Sequence, residues 1–292
     1  MKYWNILKRT VKEYSITDAM DFSSSIAFYL IFSLPAILII AMAIAGSVYE
    51  DQVARDTLLQ QFQTFFGDQS AEAIDKVLTN INEGHKSLIV RIIGFVTLVV
   101  SATTVFVSLQ EGINKIWGVQ SKKEKNLYNF FKNRLISLAM AVSVGFLLLV
   151  TLIIDATLSF FDQQLINLLS ESGFYIASAT NIGLSILVTT AVFACLFKVI
   201  PDANVQWKNV WMGAFITTLL FTAGKYLIGF YLDSSSFGDV YGAAGSLVIL
   251  LTWIFYSSMM VLFGAQFTAV YSEEIERKIV PKKNGTVTKE VN

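Results

Sequence analysis

The chain has only one cysteine and one histidine in 292 residues. With Cys195 alone, the chain can form neither a disulfide framework nor a thiolate metal cluster. His85 has no carboxylate or thiolate at ligand spacing, so we predict no metal site and no cofactor. A glycine-rich phosphate loop with Lys and Ser or Thr is also missing, and nothing brings a serine to His85 as a hydrolase triad requires. We therefore predict that the chain is not an enzyme.

Charged residues are scarce as well, at 15% of the chain against about 25% in an ordinary soluble domain. Apolar and aromatic residues make up 54%, and the mean hydropathy is +0.57. A soluble fold of this length needs a larger polar shell than these residues can supply. The composition indicates an integral membrane protein whose partner is the lipid bilayer. The basic loops lack interleaved aromatic residues, so no nucleic-acid partner is predicted.

Six apolar stretches are long enough to cross a bilayer as helices, which takes about 20 residues each. They are Ile26–Tyr49, Leu88–Trp117, Leu135–Phe160, Phe174–Ile200, Val210–Leu232 and Gly242–Tyr271. Membrane-spanning strands are not expected, because open strands leave backbone groups unpaired in lipid and the alternating pattern of a barrel is missing. The sequence thus predicts an all-α, polytopic membrane protein with six transmembrane helices in a domain over residues 23–272.

The distribution of Lys and Arg predicts the orientation, because cytoplasmic loops are enriched in both residues. They concentrate in the N-terminal segment, in the loops after the second and fourth spans, and in the C-terminal tail. The loops around Asp162–Gly173 and Asp233–Tyr241 have neither residue. Both termini are therefore predicted to lie in the cytoplasm.

Three segments lie outside the predicted spans. Residues 1–22 form a cytoplasmic segment with an amphipathic helix typical of an anionic membrane surface. Its apolar face comprises Trp4, Leu7, Val11 and Tyr14, and its cations are Lys8, Arg9 and Lys12. The outer loop, residues 50–87, contains two amphipathic patterns that either pack on each other or lie on the outer membrane face. The tail, residues 273–292, is charged and contains Pro281 and Gly285, which favours disorder.

Polar residues within spans are candidate functional residues, because each is costly to leave in lipid. Four of them lie at a similar depth near the outer side, namely Arg91, Asp155, Asn181 and Lys225. One interpretation is an outer polar cavity in which Asp155 and Lys225 form an ion pair. The alternative is that Arg91 and Lys225 extend to the headgroups while Asp155 sits in the interface.

A second polar group lies near the inner side and comprises Glu111, Asn114 and Gln266. These residues either line an inner vestibule or mark interfacial helix ends. Pro35 removes a helical donor in the middle of the first span, as at a broken transport helix or a plain kink. Gly242, Gly245 and Gly264 in the sixth span are typical of close helix packing, the alternative being close approach of a ligand.

Several segments resemble the YihY/BrkB family of bacterial inner-membrane proteins. The most specific is the sixth span, with Tyr241-Gly242-Ala243-Ala244-Gly245-Ser246, Leu251-Thr252-Trp253-Ile254-Phe255-Tyr256 and Leu262-Phe263-Gly264-Ala265. Weaker matches are Phe28-Tyr29 with Ser33-Leu34-Pro35, Asn114 with Ile116-Trp117, Lys198-Val199-Ile200-Pro201, Gly213-Ala214, and Gly224-Lys225 with Tyr231-Leu232. The resemblance covers residues 15–275 and implies six spans in a bacterial cytoplasmic membrane. The family often has Glu where this chain has Gln266.

The resemblance implies little about activity, since members have been called ribonuclease BN and others linked to virulence or to export of envelope lipids. These residues do not support the ribonuclease name. We expect a transporter or flippase-like protein for an envelope lipid or related solute, on the basis of Pro35, the outer polar group and the close-packed last span. The alternative is a membrane scaffold or assembly factor whose outer helical loop binds a partner.

Overall fold

The computed structural model describes residues 2–46, 51–66, 71–72, 74–76, 78–79, 88–121, 183, 185–233, 245–275, 279–282 and 285–287. Over these residues the chain is predominantly helical, as expected. The long helices are α1 (Lys2–Ile16), α2 (Ala19–Gly46), α3 (Asp51–Phe66), α4 (Leu88–Ile116), α5 (Ser185–Val199), α6 (Trp207–Asp233) and α7 (Gly245–Glu274). A further helical segment lies within residues 71–79. The predicted span Leu135–Phe160 lies outside the described residues.

One helix among the described residues, over Val248–Glu274, is both long and apolar enough to cross a membrane. Shorter apolar helices cover Ala19–Ser33 and Ser185–Val199. Helix α2 begins seven residues before the predicted Ile26, and α6 begins three residues before the predicted Val210. The second predicted span agrees best, since α4 starts at Leu88 as expected and ends at Ile116 instead of Trp117. Gly118 follows that end with φ of 64°, and its N–H bonds to the carbonyl of Lys115 at 3.1 Å. A left-handed glycine of this kind commonly terminates a helix.

Hydroxyl side chains within these helices mostly bond to their own backbone. Those that donate to a carbonyl four residues earlier include Thr10, Ser23, Thr190, Thr217, Thr218, Thr252, Ser258 and Thr268. Such a bond satisfies the hydroxyl without any partner from another segment. A helix can therefore carry Ser and Thr through an apolar environment at little cost.

The chain divides into two compact units, each with its own core. The unit of residues 17–112 and 220–262 buries Ile74 and Leu78 against Ala27, Leu250 and Ile254. Leu58 and Leu59 of α3 pack on the same cluster, and Arg55 bonds to Asp75 at 2.5 Å and to Thr79 at 2.7 Å. The two amphipathic helices of the outer loop thus pack together, which is the first of the two predicted arrangements.

The other unit comprises residues 1–16, 113–219 and 263–292, and α7 provides its centre. Every residue from 264 to 272 is buried, so this end of α7 is enclosed on all sides. Ile6 of α1 packs against Phe267, Val270 and Tyr271. Tyr14, predicted to share the membrane face of α1, instead packs edge-on against Phe263, with ring centroids 5.3 Å apart.

The tail contains short strands, which differs from the disorder expected from its composition. Strand β3 (Val280–Pro281) pairs antiparallel with β2 (Ala203–Asn204), and β4 (Gly285–Val287) pairs antiparallel with β1 (Val119–Ser121). Strands of two or three residues are too short to show an alternating pattern in the sequence, and their partners are distant in the chain. The helical class therefore stands with two small strand pairs added.

Candidate functional site

Helices α6 and α7 approach each other closely along the buried part of α7, between Gly264 and Ser272. Asn209 donates from Nδ2 to Ser272 Oγ at 3.0 Å. A Cβ added to Gly213 would lie 1.8 Å from Thr268 Oγ1, and one added to Gly264 would lie 1.7 Å from Thr217 Oγ1. The contacts advance four residues along α6 for every four residues back along α7, as antiparallel helices require. At Gly264, the Thr217 side chain of α6 occupies the position that a Cβ would take.

Asn114 near the end of α4 binds the turn that follows α5. Its Nδ2 donates to Asp202 Oδ2 at 3.0 Å, and its Oδ1 accepts the backbone N–H of Asp202 at 2.9 Å. Asn114 is 3% exposed, and both bonds are partly buried because Asp202 is itself partly exposed. Three residues later Trp117 donates its indole N–H to the carbonyl of Ala265 at 2.9 Å. The end of α4 is thereby attached to both the α5 turn and α7.

Gln266 on α7 joins a second set of polar contacts, with α1. Its Nε2 donates to Glu13 Oε2 at 2.9 Å. Glu13 also accepts from Arg9 at 2.6 Å, and Arg9 forms an ion pair with Glu273. The hydrogen bond to Glu13 raises the pKa of Arg9 above its ordinary value, although burial acts to lower it. Gln266 is 4% exposed, and its Oε1 has no hydrogen-bond partner among the described residues.

These contacts form one structural group, which we call the α7 cluster: Glu13, Asn114, Trp117, Asp202 and Gln266. A buried amide oxygen without a partner is unusual and is expensive in an apolar environment. Side-chain hydrogen bonds between separate helices can also break and reform without unfolding any helix. The α7 cluster therefore combines buried polarity with side-chain hydrogen bonds that join separate segments of the chain.

Two lysines hold the segment after α5 in place. Lys198 donates to the carbonyl of Val205 at 2.6 Å, and Lys282 donates to the carbonyl of Pro201 at 2.7 Å. Burial lowers the pKa of Lys282, while the charge of Asp202 raises it and that of Lys198 lowers it. A cation beside the last carbonyls of a helix is favourable there. The tail thus caps the region in which Asn114 binds Asp202.

The structure describes some of the predicted site residues and not others. Gly245 is the first residue of α7. Asp155, Asn181 and Gly242 lie outside the described residues, as do the side chains of Arg91, Lys225 and Pro35. The outer cavity thus stays a prediction, and α2 continues as a helix past Pro35 to Gly46. Of the inner residues, Glu111 is exposed on α4, whereas Asn114 and Gln266 are buried and bonded to different partners.

Sequence reasoning missed Glu13, Arg9 and Asp202 as polar partners. Asp202 directly follows Lys198-Val199-Ile200-Pro201, one of the segments behind the family resemblance, and it binds Asn114 of another such segment. That adjacency was the available signal. Among the residues that the structure covers, no group of three or more His, Cys, Asp or Glu side chains could hold a metal ion.

An apolar groove of about 240 Å³ lies between α5 and α6 in the same unit. It is lined by Gly183, Ile186, Leu187, Thr190, Trp211 and Phe215. Leu187, Trp211 and Phe215 are exposed, and Thr190 at the groove bonds to Thr218 at 3.1 Å. A groove with this lining has the chemistry to accept a hydrocarbon chain.

Comparison with known proteins assigns the chain to a family. The sequence model of the virulence factor BrkB family matches residues 10–287. A UPF0761 membrane protein of Chromobacterium violaceum is 24% identical over 92% of this chain, and another of Alteromonas mediterranea is 24% identical over 94%. A Bacillus subtilis protein, whose name describes it as ribonuclease-like, is 21% identical over 96%.

The relatives differ in length. The chain spans 62% of the Chromobacterium violaceum protein and 51% of a Psychrobacter relative, but 89% of the Alteromonas mediterranea protein and 98% of the Bacillus subtilis protein. No solved structure matches the chain. Because the family model covers residues 10–287, nearly the whole sequence, the chain is a membrane protein of the virulence factor BrkB family, the YihY/BrkB family that its motifs resemble.

Proposed function

We propose that the chain crosses the bacterial inner membrane six times with both termini in the cytoplasm, and that it moves an envelope lipid or related solute across that membrane. The long helices and the distribution of Lys and Arg support this topology. Reporter fusions after residues 125 and 285 should give cytoplasmic signals, and fusions after residues 75 and 168 external ones. A cytoplasmic signal after residue 75 would contradict the arrangement.

The observation that carries the transport proposal is the α7 cluster. Asn114 and Gln266 are 3% and 4% exposed, yet each depends on a side-chain hydrogen bond to another segment. Polar groups buried in a membrane protein are costly and usually serve a function. In our proposal this cluster closes the cytoplasmic side of the pathway, and its hydrogen bonds break when the pathway opens.

The groove between α5 and α6 supports a lipid rather than a small polar solute. Its walls are apolar, and three of its lining side chains, Leu187, Trp211 and Phe215, are exposed where a bilayer would surround the helices. An acyl chain can follow such a groove while the headgroup passes through a more polar region. The predicted outer residues Asp155 and Lys225 would then meet the headgroup on the other side.

A lipid-translocation assay tests the proposal. The purified full-length chain would be reconstituted into liposomes with a trace of NBD-labelled phosphatidylglycerol or phosphatidylethanolamine, and dithionite would bleach the outer leaflet. We expect the bleached fraction to exceed one half and to approach completeness as the inner label is moved outwards. Bleaching that stops at one half for both lipids, as in protein-free liposomes, would contradict lipid movement.

A scaffold or assembly factor is the second candidate, and the packing of the outer loop favours it. The Arg55–Asp75 ion pair and the burial of Ile74 and Leu78 hold the loop helices as a defined surface. Val53 on α3 is 47% exposed and is available to a partner. Under this alternative, Val53→Asp should abolish capture of the partner protein. The wild-type chain should also show no lipid movement in the liposome assay.

We also propose that the chain has no nuclease activity, although one relative's name describes it as ribonuclease-like. The single His85 and single Cys195 support this for zinc, since a zinc site needs several His or Cys ligands. For the oxygen-binding metals, no group of three or more acidic, His or Cys side chains among the described residues could hold an ion. Chain purified away from host enzymes should leave tRNA precursors intact with Mg²⁺, Mn²⁺ or Zn²⁺. Metal-dependent cleavage that co-purifies and disappears in His85→Ala would refute the proposal.

A further inference from the structure

The surface of α1 divides into three sectors around the helix axis. Trp4, Leu7 and Val11 lie within about 60° of each other at 3.6 residues per turn. All three are exposed, by 60%, 38% and 54% respectively. Exposed apolar side chains gathered on one stripe are typical of a surface that another apolar phase covers.

The second sector of α1 is fixed to protein. Ile6 and Thr10 are 2% and 0% exposed, and Ile6 packs on Phe267, Val270 and Tyr271. Arg9 belongs to this side as well, because Glu13 and Glu273 both accept from its guanidinium. The structure therefore pairs Arg9 with carboxylates, whereas the sequence suggests that its charge is free at the surface with those of Lys8 and Lys12.

The third sector carries two cations, Lys8 and Lys12. Both are exposed, and each lies no more than about 80° from Trp4 in rotation around the helix axis. The Nζ atom of Lys8 lies 5.3 Å from the centre of the Trp4 ring. Tryptophan is enriched at the boundary between hydrocarbon and headgroups, so this contact sets Lys8 at headgroup level when the stripe faces lipid.

We propose that Lys8 and Lys12 form a binding site for the phosphate of an anionic phospholipid headgroup, with Trp4, Leu7 and Val11 inserted into the adjoining acyl region. Charge and shape select this occupant: two cations border an apolar stripe on a helix whose opposite side is held by α7. An amphipathic helix of this kind binds by apolar burial together with attraction to anionic lipid. The site does not depend on lipid transport, so it stands or falls separately from the proposed function.

The test uses full-length chain with one dye at residue 11, which the single native cysteine makes possible. Val11→Cys in a Cys195→Ser background would be labelled with a bimane dye and reconstituted into nanodiscs. Both preparations contain phosphatidylglycerol and phosphatidylcholine. In one, only the phosphatidylglycerol has brominated acyl chains, and in the other, only the phosphatidylcholine has them. Bromine quenches only nearby dye, so the ratio of quenching reports how strongly the anionic lipid is enriched beside α1.

We expect stronger quenching from brominated phosphatidylglycerol than from brominated phosphatidylcholine. Lys8→Gln and Lys12→Gln should each reduce that enrichment by roughly fivefold, the factor that corresponds to one lysine near an anionic surface. Arg9→Gln, which removes the same charge from the same helix, should change it less than twofold, because Arg9 is already paired with carboxylates. Lys8→Arg and Lys12→Arg should preserve it.

Three outcomes would overturn the proposal. If neither brominated lipid quenches the dye, the stripe of Trp4, Leu7 and Val11 does not face the bilayer. Equal quenching by both lipids would mean that the lysines do not select an anionic headgroup. Equal losses from Lys8→Gln, Arg9→Gln and Lys12→Gln would mean that net charge, and not this site, attracts the lipid. The first two outcomes are read from the labelled chain with Lys8 and Lys12 unchanged, so misfolding of a lysine variant cannot hide them.

Discussion

Replacing Gly264 by Ala should destabilise the chain, because α6 leaves no space for a side chain there. The added Cβ would lie 1.7 Å from Thr217 Oγ1, 2.9 Å from Thr217 Cβ and 3.2 Å from Phe197 Cζ. Rotating Thr217 does not clear the contact, since its Cβ is itself too close. Rotation would also break the bond from Thr217 Oγ1 to the carbonyl of Gly213, which measures 2.8 Å.

The magnitude follows from three effects. Overpacking a well-packed core costs about 1–3 kcal/mol, and loss of the threonine hydrogen bond costs about 0.5–1.5 kcal/mol. The higher helix propensity of alanine offsets these by about 0.5–1 kcal/mol. We therefore expect Gly264→Ala to lower the free energy of unfolding by about 0.5–4 kcal/mol.

Thermal or denaturant unfolding of the detergent-solubilised chain, followed by intrinsic fluorescence, provides the measurement. Gly183→Ala is the matched control, because a Cβ there meets nothing within 4 Å and the change should be neutral or slightly stabilising. Thr217→Ala removes the clashing oxygen, so the double variant should lose less stability than the two single variants together. If Gly264→Ala unfolds like the wild type, or if the two changes are additive, the packing account is wrong.

Three further predictions concern polar contacts. Asn114→Ala and Asp202→Ala should each destabilise the chain, and a double-mutant cycle should give a coupling of about 0.5–3 kcal/mol, whereas strict additivity would contradict their bond. Burial lowers the pKa of Lys282, so as the pH rises the folded state loses this proton before the unfolded state does. The thermal stability of the wild type relative to Lys282→Met should therefore rise with pH between the lowered pKa and 10.5. A relative fall over that window would refute the burial of Lys282. Lys225→Met and Asp155→Asn should couple by about 0.5–3 kcal/mol if they share a cavity, and additive effects, with tolerance of Lys225→Arg, would instead indicate headgroup contact.

The sequence predicted the local features of the fold well. Long helices follow from runs of apolar residues, as in α4, which begins at the predicted Leu88 and ends one residue before the predicted Trp117. The outer-loop helices follow from apolar residues spaced three and four apart, and the structure packs Ile74 and Leu78 as that spacing suggests. Each of these predictions depends on residues within one or two turns of each other, where periodicity carries the information.

The partners of the polar residues could not be predicted in the same way. Asn114 and Asp202 are 88 residues apart, and Gln266 and Glu13 are 253 apart. Nothing in the spacing of either segment indicates which distant segment it will meet. The tail strands were missed for the same reason, since β4 pairs with β1 far back in the chain. Arg9 shows the consequence for function: by composition it is a surface cation, but folding pairs it with Glu13 and Glu273.

The central claim is that the hydrogen bonds of the α7 cluster close a lipid pathway, and the rate of lipid movement in Asn114→Ala tests it most directly. Loss of two hydrogen bonds at about 0.5–1.5 kcal/mol each favours the open state, so the liposome assay should show movement about fivefold faster or more than in the wild type. Lys208→Ala, at an exposed lysine on α6, serves as the control and should match the wild type. Equal rates in Asn114→Ala and wild type, or no movement above protein-free liposomes in either, would contradict the account.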